Sequence, residues 1–279
     1  MIVRAIPETF DPACVKAIDD RLDQIVANGD VTIGLAIESG SRAWGFPSHD
    51  SDYDCRFIYV RSAEQYLSPW QKRDVIETPL EGDLDISGWD LGKALKLVLK
   101  GNAVVTEWLT SPIVYRGDVQ FRDDLIAFAR TFSRRAGIQR HYLHLGEQQR
   151  RTHFADGEKV PLKKLFYALR PAAALRWLRL NPTEVVAPMH FPTLIKECDP
   201  PREVSEISYN LVRQKAATRE LGTTQVPAAI RAFVDEEFAI ARTDVAPAPT
   251  QPSAEAISTA DEVFRRYASK VAEGWKVNG

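Results

Sequence analysis

The chain has little of the chemistry that marks extracellular or zinc-dependent proteins. Its three cysteines, Cys14, Cys55 and Cys198, cannot all pair and show no CxxC spacing, which predicts a reduced, cytoplasmic protein. The five histidines, at 49, 141, 144, 153 and 190, form no His/Cys group with zinc spacing. No run of 18 apolar residues is present, which excludes an ordinary transmembrane helix. The first residues, Met1 to Glu8, lack the apolar core of a signal peptide. No internal repeat occurs. At 44% apolar and 27% charged residues the composition is globular.

A large excess of one charge is also missing, since the net charge is −2. The charge is unevenly spread, however. Between Arg134 and Arg179 stand eleven Lys/Arg and three acidic residues. Such a block suits a polyanionic substrate, and equally a solvated helix face.

What the chain does have is Ser39-Gly40-Ser41-Arg42-Ala43-Trp44-Gly45, followed by Ser51-Asp52-Tyr53-Asp54-Cys55-Arg56-Phe57-Ile58-Tyr59-Val60. Residues two apart on a strand face the same way, so Asp52 and Asp54 aim at one point while Tyr53 turns into packing. Paired carboxylates repel unless a cation lies between them, and Mg²⁺ is the usual choice where phosphates complete its shell. The Gly40-Ser41 turn offers backbone N–H groups to a phosphate, and Gly40 is expected to have little room for a side chain there. Arg56 lies on the Asp52/Asp54 face and is suited to neutralising a carboxylate or meeting a phosphate. Arg42 is a candidate phosphate partner. His49 lies in the loop before the pair.

These motifs resemble the DNA polymerase β-like nucleotidyltransferase superfamily: an apolar strand (Val31 to Ile37), Gly-Ser, a spacer, then Asp-x-Asp. The longer match, Gly-Ser-Arg-Ala-Trp-Gly-Phe with Ser-Asp-Tyr-Asp and Arg-Phe-Ile-Tyr-Val, is similar to the RlaP/YcgL-like predicted nucleotidyltransferases, a group associated with RNA ligases. Asp85-Ile86-Ser87-Gly88-Trp89-Asp90-Leu91 and Lys163-Lys164 with Tyr167 to Pro171 extend it over roughly residues 30 to 200. The last 35 or so residues add nothing to the match. The resemblance implies a third carboxylate, best matched by Asp85, with Asp83 and Asp90 as competitors. It implies metal ligation and catalysis by Asp52, Asp54 and Asp85. It further implies nucleotide contacts from Gly40, Ser41, Arg42, Lys163, Tyr167 and Arg170. The last three fall at i, i+4 and i+7 on a helix face opposite the apolar stripe. Trp44, Trp89, Trp108 and Trp177 read as core.

Apolar periodicity predicts a helix over 11–28 started by Asp11-Pro12, strands near 31–38 and 53–61, two short strands around Glu81-Gly82, and helices ending at Gly101 and covering 103–109. From Asp123 the chain reads as helical, with a helix bent at Pro171 and a long proline-rich loop over 181–202. The expected fold is α+β: a polymerase β-like core with a mixed sheet over 1–122, and a helical domain over 123–279 with a Pro-rich linker at 244–253. The expected reaction moves an NMP from an NTP to a hydroxyl, with Mg²⁺ or Mn²⁺, and an RNA 3′ end as candidate acceptor. A protein hydroxyl, a small molecule, or a non-catalytic nucleotide- or RNA-binding module stay open as alternatives. Base preference and oligomeric state are not fixed by the sequence.

Overall fold

The computed structural model describes residues 1–154, 159–217, 223–244 and 251–277. The first half builds one mixed sheet. Its elements run β1 (Ile2–Ala5), α1 (Pro12–Gly29), β2 (Val31–Glu38), α2 (Gly40–Ala43), β3 (Tyr53–Arg61), α3 (Ala63–Leu67), β4 (Val75–Glu77), β5 (Leu84–Asp90), α4 (Leu91–Lys100), α5 (Ala103–Thr110), β6 (Val114–Asp118) and α6 (Val119–Phe132). The strand order is β1-β6-β2-β3-β5-β4. β3 pairs antiparallel with β2 and parallel with β5.

The alternation of β3 decides where chemistry can occur. Tyr53, Cys55, Phe57 and Tyr59 pack with Ile18, Leu22 and Ile25 of α1. Ile58 and Val60 pack on the opposite face with α4, α5 and α6. Asp54 and Arg56 share that second face, at the end of the strand where the helices leave it open. α1 starts as expected, with Asp11 accepting the Ala13 N–H at 2.8 Å and Pro12 in the first turn.

β6 and β1 were not foreseen. β6 is hidden because its second half is polar: Arg116 is buried and its Nη2 donates to Asp23 at 2.7 Å. A buried arginine inside a strand erases the apolar run that marks one.

The second half continues with α7 (Arg135–His153), β7 (Lys159–Pro161), α8 (Leu162–Leu180), α9 (Phe191–Glu197), α10 (Arg202–Ala217), β8 (Thr223–Gln225), α11 (Ala228–Asp244) and α12 (Ala254–Ala272). α7 to α11 surround α8 in a second core. α8 runs through Pro171 as one helix. The expected loop over 181–202 contains α9, begun where Pro192 occupies the first turn.

The expected division at 122/123 falls inside α6, whose Phe121, Leu125, Phe128 and Ala129 pack on the sheet. α12 returns to the same sheet through Ala256, Val263 and Tyr267. Its apolar stripe covers ground next to α4 that would otherwise face water. Of the expected linker, residues 245–250 lie outside the described residues.

The two halves are joined through the segment after α2. Phe46 is fully buried in the helical core, stacked on Phe166 at 4.3 Å. Lys215, itself buried, donates to the Phe46 carbonyl at 2.9 Å, and Phe191 N–H donates to the Trp44 carbonyl at 2.8 Å. Arg170 of α8 pairs with Glu107 of α5 at 2.5 Å, both about 8% exposed, and Tyr142 donates to the same carboxylate at 2.8 Å.

Arg170→Ala leaves the Glu107 carboxylate without its cation in a buried place, which costs about 3–5 kcal/mol. Urea unfolding should show that loss, and Glu107→Gln with Arg170→Met should recover most of it. A loss below about 1 kcal/mol, the size of an exposed substitution, would contradict the buried-pair assignment.

Candidate active site

The site grows from the end of β2. Glu38 closes that strand fully buried, and its carboxylate accepts the Asp54 N–H at 2.9 Å and the Tyr115 hydroxyl at 2.5 Å. Ser39 N–H donates to the Asp54 carbonyl at 2.8 Å. Gly40 then turns the chain with φ +59°. A Cβ at Gly40 would lie 1.9 Å from Asp54 Oδ2, so the backbone is pressed against this carboxylate. The glycine is thus required before any phosphate is considered. Ser41 follows in α2, 7% exposed.

Asp54 and Asp85 are direct partners in the parallel β3/β5 register. Arg56 lies between them: its Nη2 donates to Asp54 Oδ1 at 3.0 Å and to Asp85 Oδ2 at 2.6 Å. Asp52 is exposed, one residue before β3. Burial pushes the Asp54 carboxyl up from its ordinary range; Arg56 opposes this, while Asp85 and Asp52 add to it and Lys163 lowers it. Three carboxylates and one lysine therefore share a field. Among the described residues, no three His, Cys, Asp or Glu side chains already converge as an ion cage.

Of the competitors of Asp85, Asp90 has another task for its side chain, and Asp83 is exposed and shows a backbone contact. Asp90 caps α4 by accepting the Gly92 N–H at 2.8 Å and the Tyr66 hydroxyl at 2.9 Å. The Asp83 carbonyl accepts the Tyr53 N–H at 2.7 Å within the β4–β5 connection.

Two expected nucleotide contacts are otherwise engaged. The Arg42 guanidinium lies 3.8 Å from the Tyr53 ring centroid and donates to the carbonyls of Ser51 (2.6 Å) and Asp52 (3.1 Å). Tyr53 belongs to the α1 face of the sheet, so Arg42 fastens the loop that carries Asp52 against that face. Arg170 is not on an exposed face: it is the buried partner of Glu107 and lies 4.5 Å from the Trp44 ring. Helical spacing cannot distinguish a wet face from one pressed on another domain. Lys163 and Tyr167 of the same helix do reach the site's side of the molecule. Lys163 acts on Asp54 as described, and Tyr167 meets Trp44 edge-on at 5.6 Å.

The basic block is largely consumed inside the helical half. Arg150 pairs with Asp235, Arg176 and Arg179 pair with Glu237, and Arg135 donates to the carbonyls of Leu178, Asn181 and Glu184. Arg140, Arg151 and Lys159 are exposed and Lys164 half-buried. Cavities of about 820 and 540 Å³ lie between α1 and the chain's end and between α4 and α12, and neither touches Asp52, Asp54 or Asp85.

Glu38 and Tyr115 are the residues that sequence reasoning missed. The available signal was a carboxylate ending an otherwise apolar strand directly before Gly-Ser, a place where burial demands partners.

This arrangement, a mixed sheet with in-register acidic side chains beside a glycine turn, defines a polymerase β-like class. The RNA repair pathway DNA polymerase beta family, RlaP, matches residues 15–266, and the chain belongs to it. It is also similar to the uncharacterized protein YcgL of Bacillus subtilis (strain 168), 38% identical over 265 residues, covering 95% of this chain and 99% of the relative. No helix among the described residues is long and apolar enough to cross a membrane.

Gly40→Ala should lower stability by more than about 1–2 kcal/mol, the cost of left-handed backbone alone, because Asp54 must also move. Loss of under about 0.5 kcal/mol in denaturant unfolding, an ordinary surface value, would contradict the contact.

Burial pushes the Glu38 carboxyl up to about 8, against hydrogen bonds from Tyr115 and Asp54 that pull it down. The folded state then holds this proton where the unfolded chain has lost it. Stability should be fullest below the ordinary carboxylate range near 4.5 and fall as pH rises toward 8. Glu38→Gln should flatten that fall in thermal melts taken between those limits. An unchanged slope would assign the pH dependence elsewhere.

Proposed function

We propose that the chain is a metal-dependent nucleotidyltransferase that moves an NMP from an NTP to a hydroxyl acceptor, an RNA end in the first instance. The observation that carries this is the in-register placement of Asp54 and Asp85 beside Gly40, with Asp52 two residues away and Lys163 of α8 near enough to act on Asp54.

The donor set fits a hard cation. Asp52, Asp54 and Asp85 offer only carboxylate oxygens, which suit Mg²⁺ or Mn²⁺, and burial, with repulsion from Asp85 and Asp52 added, raises Asp54. When bound, a divalent ion would lower the acceptor hydroxyl's pKa and steady charge on the leaving group. The chain's own residues do the rest. Gly40 and Ser41 present the turn to the triphosphate. Lys163 supplies positive charge on the helical side. The Glu38 anchor fixes the Asp54 backbone. The acceptor oxygen attacks the α-phosphorus, the bond from that phosphorus to the α,β-bridging oxygen breaks, and pyrophosphate leaves while the hydroxyl proton passes to solvent water. Positioning and electrostatics carry most of the acceleration in such reactions.

The family's RNA repair description supports an RNA acceptor. So does the position of Arg151, Lys159 and Lys164 around the start of α8, next to Lys163. A protein hydroxyl or a small-molecule acceptor is the second enzyme reading.

Asp52→Asn, Asp54→Asn and Asp85→Asn should each abolish transfer of label from an NTP with Mg²⁺ or Mn²⁺ while leaving the melting temperature equal or higher, since like charges are removed. Wild-type turnover in Asp54→Asn would end this reading.

RNA affinity should fall with salt at a log–log slope of about −2 for three phosphate contacts at ~0.7 each. Replacing Arg151, Lys159 and Lys164 with Ser should flatten it. No salt-dependent RNA binding at about 50 mM salt would favour a protein or small-molecule acceptor.

A further inference from the structure

Arg56 occupies the position between Asp54 and Asp85 that a bound cation would be expected to take. Strand period places it two residues after Asp54 on the same face, and the parallel register places Asp85 opposite Asp54. Its side chain is 17% exposed. One guanidinium nitrogen, Nη2, is shared between the two carboxylates at 3.0 and 2.6 Å. The other, Nη1, donates to the backbone carbonyls of Asp85 at 2.7 Å and Cys55 at 3.1 Å. The fork is therefore tied to both strands as well as to both carboxylates, a geometry lysine cannot reproduce.

We propose that Arg56 is a resident counter-ion that competes with a divalent cation for Asp54 and Asp85, so that the free protein holds such a cation weakly and takes it up together with the triphosphate. This rests on the nucleotidyltransferase reading above and adds an order of loading to it. Two carboxylates facing one guanidinium carry a net charge of about −1, half of what the bare pair would offer a dication. A cation approaching Asp54 must displace Nη2 from Oδ1. The Nη1 bonds to Asp85 and Cys55 carbonyls keep the guanidinium close, so its repulsion persists after displacement. A triphosphate changes this balance. It brings several negative charges and oxygen ligands, and gives the released guanidinium edge an anion to pair with.

The alternative is that Arg56 only clamps β3 to β5. Removing it would then cost stability and leave cation affinity unchanged or weaker.

The test is Mn²⁺ titration of the full-length protein, followed by calorimetry and by the electron paramagnetic resonance signal of free Mn²⁺. Without nucleotide, Arg56→Gln should bind Mn²⁺ about tenfold more tightly than the wild type, equivalent to ~1.4 kcal/mol. Adding a non-hydrolysable ATP analogue should shrink the difference to about threefold or less. Asp54→Asn combined with Arg56→Gln should erase the gain, which locates it at the carboxylates. If Arg56→Gln does not fold, Arg56→Lys serves: it keeps the charge but cannot hold both carboxylates and both carbonyls, and should still tighten Mn²⁺ binding. Affinity equal to or weaker than wild type in a folded Arg56 variant overturns the proposal while leaving the nucleotidyltransferase reading intact. Absence of Mn²⁺ binding from wild type and variants alike, with and without nucleotide, overturns both.

Discussion

The contact between Asp54 and the backbone of Gly40 constrains everything around it. Any other residue at position 40 must push the Asp54 carboxylate aside and take a left-handed backbone, because a Cβ would stand 1.9 Å from the carboxylate oxygen at φ +59°. The strand carrying Asp54 is held at this distance from below by Glu38, whose buried carboxylate takes the Asp54 N–H. From the other end, the chain leaving Gly40 passes through Trp44 and plants Phe46 in the helical core. The seven-residue segment Gly40 to Phe46 thus ties a carboxylate on the sheet to a phenylalanine in the other half of the molecule. The placement of α8, with Lys163 near Asp54, follows from that tie together with the Arg170–Glu107 pair. The helical half thereby brings Lys163 to the site.

The electrostatics of the site are those of a place prepared for positive charge. Burial and neighbouring carboxylates raise Asp54, Arg56 partly relieves it, and Lys163 adds to the relief. A carboxylate pair with too little compensation attracts a cation or a proton. Under the proposed function, these hard oxygen donors would suit Mg²⁺ or Mn²⁺. The arginines of the 134–179 block contribute less to this field than their number suggests, because Arg150, Arg170, Arg176 and Arg179 already face acidic partners.

The sequence made the shared strand face of Asp54 and Arg56 legible, since a period of two puts both side chains on one side of β3, just after the Gly-Ser turn. The strand position of Asp85 is readable because Leu84 and Ile86 flank it as strand neighbours, and the β3/β5 register sets it opposite Asp54. Other features depended on long-range packing that local pattern does not encode. β6 carries a buried Arg116 whose counter-charge, Asp23, sits 93 residues earlier. Glu38 reads as the polar end of a strand until Tyr115, from β6, is seen to reach it. Arg170 had the spacing of a surface face, and only the position of Glu107 shows it to be buried. α12 follows a proline-rich stretch that suggested separation, yet its apolar stripe matches the open flank beside α4.

The central claim is nucleotidyl rather than phosphoryl transfer at the Asp52, Asp54 and Asp85 cluster. The most direct measurement compares NTPs labelled at the α- and at the γ-phosphate, incubated with the protein, a divalent cation and RNA bearing a free 3′ hydroxyl. The account predicts α-label in the RNA and γ-label released as pyrophosphate. Transfer of the γ-label, or turnover that persists when the three aspartates are replaced by asparagine, would contradict it.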